Sequence, residues 1–323
     1  MILVALTAAA CCPELPCPDR NETTDDPVVD PGPLYVGSGN PFAPGPLTVR
    51  TFPVERCENG APKPLLIHAP AEAGSYPVVL FQHGFLLSNA YYSEVLRHLA
   101  GHGFIVVAPQ MYPADGIPLF KPTSLDEVHQ VLEVLDWLAG HLGTTAGMTA
   151  DLSRVGIAGH SRGGKVAWSL VRLAPERFQA LAGIDPTDGT LDGTPRVTDQ
   201  PLPVALPTLV IGAGRAGDPF FPRGPSCSPP GENHEQFYAA SLAPAWHVVV
   251  PDAGHLDVLD DTRPGCGHVC GVCIVGQDPP AFRNLTAGLM VALFRAASQG
   301  DPAAFHILDD VPHPPVNLVL ESK

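Results

Sequence analysis

Positive charge is scarce in this 323-residue chain. Lys and Arg number 18 against 33 Asp and Glu, for a formal charge of −15. A field of that sign repels phosphate backbones, which excludes nucleic acid as a partner and argues against a basic helix lying on a membrane surface. Charge of either sign is thin, at 16% of residues, while 45% are apolar. That balance belongs to a globular chain rather than a disordered one. No apolar run reaches the roughly 18 residues needed to span a bilayer, so no transmembrane span is expected. Repeats with a period of about 20–50 residues are absent too, which excludes solenoids and propellers.

Proline and glycine are abundant, at 38 and 32 residues, so many loops are expected. The start, MILVALTAAA, is apolar but too short to span a membrane. It lacks a basic n-region, and no Arg- and Ser-rich transit peptide is present. The segment reads three ways: a secretory stretch with Cys11 as a lipid-attachment site, a structureless start, or a packed strand. The first reading implies export or lipid anchoring; the others imply a soluble chain. Residues 1–45 are accordingly assigned to this start and a Pro-rich tether, and 46–323 to a single domain. Eight cysteines lie mostly in loop-like sequence, which favours an oxidising compartment. Their pairing is open. Cys266, His268, Cys270 and Cys273 form a cluster with some zinc-site character, but no second knuckle follows. Disulfides or free thiols are the expectation, with no metal and no cofactor.

Beyond residue 46, apolar runs alternate with helical periodicity. Strands are expected at 47–54, 64–69, 77–82, 104–108, 154–158, 180–185, 207–213 and 247–251. Helices are expected at 91–101, from a capping box Ser124-Leu-Asp-Glu127 onward, at 163–173, and around Phe282–Ala296 with Gly300 as the stop. This alternation describes an α/β fold, a mostly parallel sheet with helices on both faces. Long Pro/Gly-rich stretches at 186–206 and 214–236 each follow a strand end, where ligands sit in such sheets.

Gly159-His160-Ser161-Arg162-Gly163 fits G-x-S-x-G, between a strand (VGIA) and a helix (KVAWSLVRL). That context is the strand–turn–helix of a nucleophile elbow. The two glycines let the turn close and the helix pack on the strand. A serine hydroxyl needs a base, and the base an orienting acid, in the order Ser, acid, His. His255 follows the last long strand. For the acid, spacing leaves Asp185, Asp188 and Asp218 open. His68, His83, His160 and His234 are expected to be structural or solvated, as are Asp260 and Asp261; Asp257 is either an orienter or surface. An oxyanion requires two N–H donors: Arg162, after the nucleophile, and Phe85, in the strand-to-loop sequence VVLFQHGF. Leu86 and Leu87 read equally as pocket lining or core.

These segments resemble the chlorophyllases. GHSRGGK (159–165), HGFLLSNAYYSEVLRHLAGHGFIVVAPQMY (83–112), GIDPTDGT (183–190), PSCSPPGENHEQFY (225–238) and AGHLDVLDD (253–261) are similar to family blocks, in family order. The likeness runs from about residue 40 to 310. It implies an α/β-hydrolase fold without a cofactor and cleavage of the phytyl ester of chlorophyll. It also implies Ser161 as nucleophile, His255 as base and Asp185, the first aspartate of its block, as acid. Loops carry the substrate and loops diverge, so an exported general carboxylesterase, lipase or cutinase-like polyester hydrolase is the alternative.

Overall fold

A computed structural model describes residues 34–113, 121–146, 148–222, 224–263 and 271–323. The apolar start, most of the tether, and Cys266, His268 and Cys270 lie outside the described residues. Residues 34–45, expected as tether, lie against helices: Pro41 and Ala43 carbonyls meet His98 and His102 Nε2 at 2.7 and 3.0 Å, and Asn284 donates to the Phe42 carbonyl.

Among the described residues nine strands build one sheet: β1 (Val49–Val54), β2 (Leu65–Pro70), β3 (Ser75–Gln82), β4 (Ile105–Pro109), β5 (Thr149–His160), β6 (Ala180–Ile184), β7 (Thr208–Ala213), β8 (Ala245–Val250) and β9 (Val319–Ser322). Their spatial order is β1-β2-β4-β3-β5-β6-β7-β8-β9. The six strands from β4 to β8 run parallel, and β1, β2 and β9 are antiparallel to their neighbours. This is the expected α/β-hydrolase arrangement, with the antiparallel strands at its margins.

The central strands read as apolar runs because both of their faces are buried. Along β3, Val79 and Phe81 enter one core while Val78 and Leu80 enter the other. The first core is closed by α1 (Ser93–Gly101), through Val95, Leu96 and Leu99, and by α5 (Pro279–Ser298). The second is closed by α2 (Ser124–Ala146) and α3 (Arg162–Leu173), with Trp168 fully buried.

Several local expectations need correction. The capping box of α2 sits one residue earlier than expected. The Asp126 N–H donates to Thr123 Oγ1 at 3.1 Å and the Thr123 N–H to Asp126 Oδ2 at 2.9 Å. Ser124 is instead spent on a loop, through Asp192 and Thr194, and Glu127 is free to turn inward. Asn233 and His234, read as loop, cap and open α4 (His234–Ala240). Also not foreseen are α6 (Phe305–Asp309) and β9. Asp260, expected on the surface, is buried and accepts the Glu94 N–H at the start of α1. Leu87 is core.

The site is positioned by register. Gln82, Gly159 and Gly183 lie level across β3, β5 and β6, and His160 lies level with Ile184. The chain leaves the sheet at His83, Ser161 and Asp185 along one edge. Between β4 and β5 the strand order reverses about β3, the position beside which ligands sit in such sheets.

Candidate active site

Ser161 occupies the tight turn between β5 and α3 with φ 53° and ψ −125°, in a region that side chains other than glycine rarely adopt. Two glycines make the turn possible by close approach. A Cβ on Gly159 would overlap the Gly163 carbonyl, and one on Gly163 would overlap the Gln82 carbonyl. Strand, elbow and helix are therefore pressed together, and the Ser161 side chain stands above the first turn of α3.

His255 lies in the loop after β8, and its Nε2 is 2.9 Å from Ser161 Oγ. Its Nδ1 is 2.5 Å from Asp185 Oδ2. The other Asp185 oxygen accepts the Ala213 N–H at 3.0 Å. A carboxylate accepts only, so Nδ1 carries the imidazole proton and Nε2 presents a lone pair to the serine hydroxyl. Asp185 is completely buried, with φ 39°. The structure thus brings Ser161, His255 and Asp185 together.

The other two aspartates point elsewhere. Asp188 is buried, but its oxygens accept the Val197 and Thr198 N–H groups and the Thr198 hydroxyl, and Lys165 Nζ lies 3.5 Å away. It pins the loop after β6. Asp218 is 54% exposed and pairs with Arg215 at 3.3 Å.

Neither the Phe85 nor the Arg162 backbone N–H donates to a partner among the described residues. His83 fixes the orientation of the first. The Met111 N–H donates to His83 Nε2 at 3.0 Å, so the ring proton is on Nδ1 and is donated to the Gly84 carbonyl at 2.8 Å. The Leu87 N–H joins it at 3.1 Å. In a planar trans peptide the C=O and N–H point oppositely. Holding the Gly84 carbonyl therefore aims the Phe85 N–H the other way. Burial lowers the His83 midpoint to about 4, so the ring stays neutral.

Three further side chains, set aside or unread in the sequence, hold the loops together. The Gly84 N–H donates to the Tyr92 hydroxyl at 3.0 Å, and that hydroxyl lies 2.8 Å from His160 Nδ1. His160 Nε2 lies 2.9 Å from the main-chain carbonyl of His255. Asp257 accepts the Gly254 and Gly276 N–H groups at 2.7 and 2.9 Å, shaping the turn that carries His255. The helical face of Tyr92, shared with Val95, Leu96 and Leu99, was the available signal that its ring is buried.

His234, by contrast, faces away into a buried pair with His247, their ring nitrogens 2.8 Å apart. Cys273 is disulfide-bonded to Cys227, which removes it from any zinc ligand set. Among the described residues no group of three or more His, Cys, Asp or Glu is placed to hold a metal ion. None of their helices is long and apolar enough to cross a membrane.

The chlorophyllase family model matches residues 38–322. Chlorophyllase-2 of Arabidopsis thaliana is 36% identical over 287 residues, covering 83% of this chain and 88% of the relative. Chlorophyllase-1 of the same plant is 37% identical over 303 residues, covering 87% and 89%. Chlorophyllase type 0 of Chenopodium album is 34% identical over 296 residues, covering 84% and 82%.

Proposed function

The chain belongs to the chlorophyllase family, and on that premise we propose that it is a serine carboxylic-ester hydrolase that releases phytol from chlorophyll. Residues 46–323 form the hydrolase unit. The observation that carries the reading is the line Ser161 Oγ, His255 Nε2, His255 Nδ1, Asp185 Oδ2, with steps of 2.9 and 2.5 Å across the ring.

The reaction runs in two halves. His255 Nε2 takes the hydroxyl proton as Ser161 Oγ attacks the ester carbonyl. The carbonyl oxygen becomes an anion and is received by the Phe85 and Arg162 N–H groups. Donors of this kind lie in a water-poor edge where they need no reorganisation, and each contributes about 3–4 kcal/mol to such reactions. The tetrahedral species collapses, the C–O bond to the alcohol breaks, and His255 returns its proton to the departing phytol oxygen. Water, deprotonated by His255, then cleaves the acyl-serine and frees the acid, chlorophyllide. Asp185 holds the imidazole in the one tautomer that works and balances its charge when it carries two protons. Water is the only co-reactant.

The test is incubation of the purified protein with chlorophyll a and chromatography for chlorophyllide, with Ser161→Ala as the blank. Chlorophyllide from the wild type alone is the expected result. Serine-dependent cleavage of a short acyl ester without chlorophyllide would keep the chemistry and overturn the substrate. Turnover by Ser161→Ala would overturn both.

A further inference from the structure

One buried ion pair has no part in the chemistry above. Glu127, on the first turn of α2, is 1% exposed and meets Arg162 Nη2 at 2.6 Å; the Arg162 side chain is 13% exposed. The guanidinium also donates to the Pro122 carbonyl, and Asp192 Oδ2 lies 3.6 Å away. The guanidinium lies over the Phe85 ring, with the central carbon 4.8 Å from the ring centroid. Arg162 and Phe85 are the two residues whose N–H groups receive the oxyanion in the proposed mechanism. One side chain thus joins the backbone of one donor to the ring of the other.

We propose that the Glu127–Arg162 pair is a positioning device for the oxyanion site, holding the guanidinium on Phe85 so that the two N–H donors keep a fixed separation. The inference rests on the catalytic reading above and adds Glu127, which never touches substrate, to the residues on which turnover depends.

The physical case is that this pair is poorly suited to stability and well suited to geometry. Breaking even with desolvation is the most that a buried ion pair usually achieves. Desolvation raises the Glu127 midpoint to about 7, although Arg162 and, more weakly, Lys63 lower it; Asp192 raises it further, and the Tyr112 phenol also faces this carboxyl. Ionised Glu127 is therefore held at a disadvantage around neutral pH. Geometrically, a guanidinium tied to a carboxylate and a carbonyl while lying over an aromatic ring is restricted in both rotation and sliding. The cover matters because an oxyanion site loses its effect when a donor shifts by a fraction of an ångström.

The test uses Glu127→Gln, which keeps the shape and removes the charge, together with Arg162→Met and the double variant. All are assayed on a p-nitrophenyl acyl ester beside wild type and Ser161→Ala. Expected for Glu127→Gln is a kcat about 10- to 100-fold lower with KM within about twofold, because the loss falls on the transition state alone. An alkylboronic acid, which forms a tetrahedral adduct, loses affinity by the same factor as kcat/KM. The double variant is no slower than the slower single one, since the two residues act as a unit. The ratio of wild-type to Glu127→Gln kcat shrinks toward one as pH falls through about 7, and any His255 contribution cancels in that ratio.

A Glu127→Gln kcat within twofold of wild type overturns the proposal, as do losses that multiply in the double variant or a kcat ratio flat across pH. In those cases Ser161-dependent turnover leaves the catalytic reading standing. Turnover by Ser161→Ala overturns that reading and the proposal together.

Discussion

The Tyr92 hydroxyl and His160 Nδ1 lie 2.8 Å apart beneath the elbow, fully buried on both sides. The phenol oxygen accepts the Gly84 N–H, and because the His255 carbonyl opposite Nε2 can only accept, the phenol's proton goes to His160 Nδ1. The His160 proton must then be on Nε2, where it is donated to the His255 carbonyl. Desolvation holds His160 well below its ordinary midpoint and keeps it neutral. Three loops from three strands are tied by one phenol and one imidazole.

Tyr92→Phe removes the link and leaves a buried N–H and a buried ring nitrogen without partners. The expected loss is about 1–3 kcal/mol of stability. A kcat reduction of about tenfold or more should accompany it, because both the Phe85 loop and the His255 loop lose a support. Thermal denaturation and steady-state kinetics on one preparation check both; an unchanged kcat with lowered stability would reduce the link to a structural one.

The three aspartates weighed for the acid should separate by phenotype. Asp185→Asn is expected to lower kcat by about 10⁴-fold, since an amide favours the wrong imidazole tautomer. Asp218→Asn changes an exposed pair and should leave kcat within about twofold. Asp188→Asn should act on stability instead, because that carboxylate holds the Val197–Thr198 turn and faces Lys165. Measuring kcat and the thermal midpoint for all three gives the assignment.

His83 should be replaceable only by a side chain that donates from the same place. His83→Ala frees the Gly84 carbonyl and with it the direction of the Phe85 N–H. The expected kcat loss is about 100-fold, the size of losing one oxyanion donor. Asn offers an N–H near the position of Nδ1, so His83→Asn should recover most of the rate. Equal losses in the two variants would show that the ring, not its proton, matters.

The Cys227–Cys273 bridge closes the loop after β7 onto the segment that follows His255. Replacing both cysteines with serine removes a cross-link spanning 46 residues, worth about 4 kcal/mol in the chain-entropy account. The thermal midpoint should fall correspondingly, and wild type treated with a strong reductant should fall at least as far, since Cys57 is disulfide-bonded as well.

Much of this architecture is legible in the residues themselves. Strands buried on both faces leave unbroken apolar runs, so β3, β4, β6 and β7 are visible without their partners. The elbow is legible because Gly159, Ser161 and Gly163 answer to local sterics. What escaped depends on contacts between distant parts. Thr123 and Asp126 form the cap that Ser124 and Glu127 were expected to form, because Ser124 is drawn to a loop some 70 residues on. No spacing announces that Glu127 will meet Arg162, or that Cys227 will meet Cys273. The edge strand β9 is mostly exposed, pairs through its backbone, and shows no apolar alternation. Asp260 looked like surface because an acidic cluster usually is; its burial follows from the open N–H groups of α1.

The level exit of the chain from β3, β5 and β6 bears on how the protein acquires its activity. Phe85, Ser161, Asp185 and His255 span 170 residues, and no two neighbouring elements hold more than a part of the set. Contacts of such separation form late in folding, after the entropy of closing long loops has been met. Turnover should therefore return during refolding no earlier than the last of the central parallel strands docks, and a fragment ending before β8 should be inert however well it is packed.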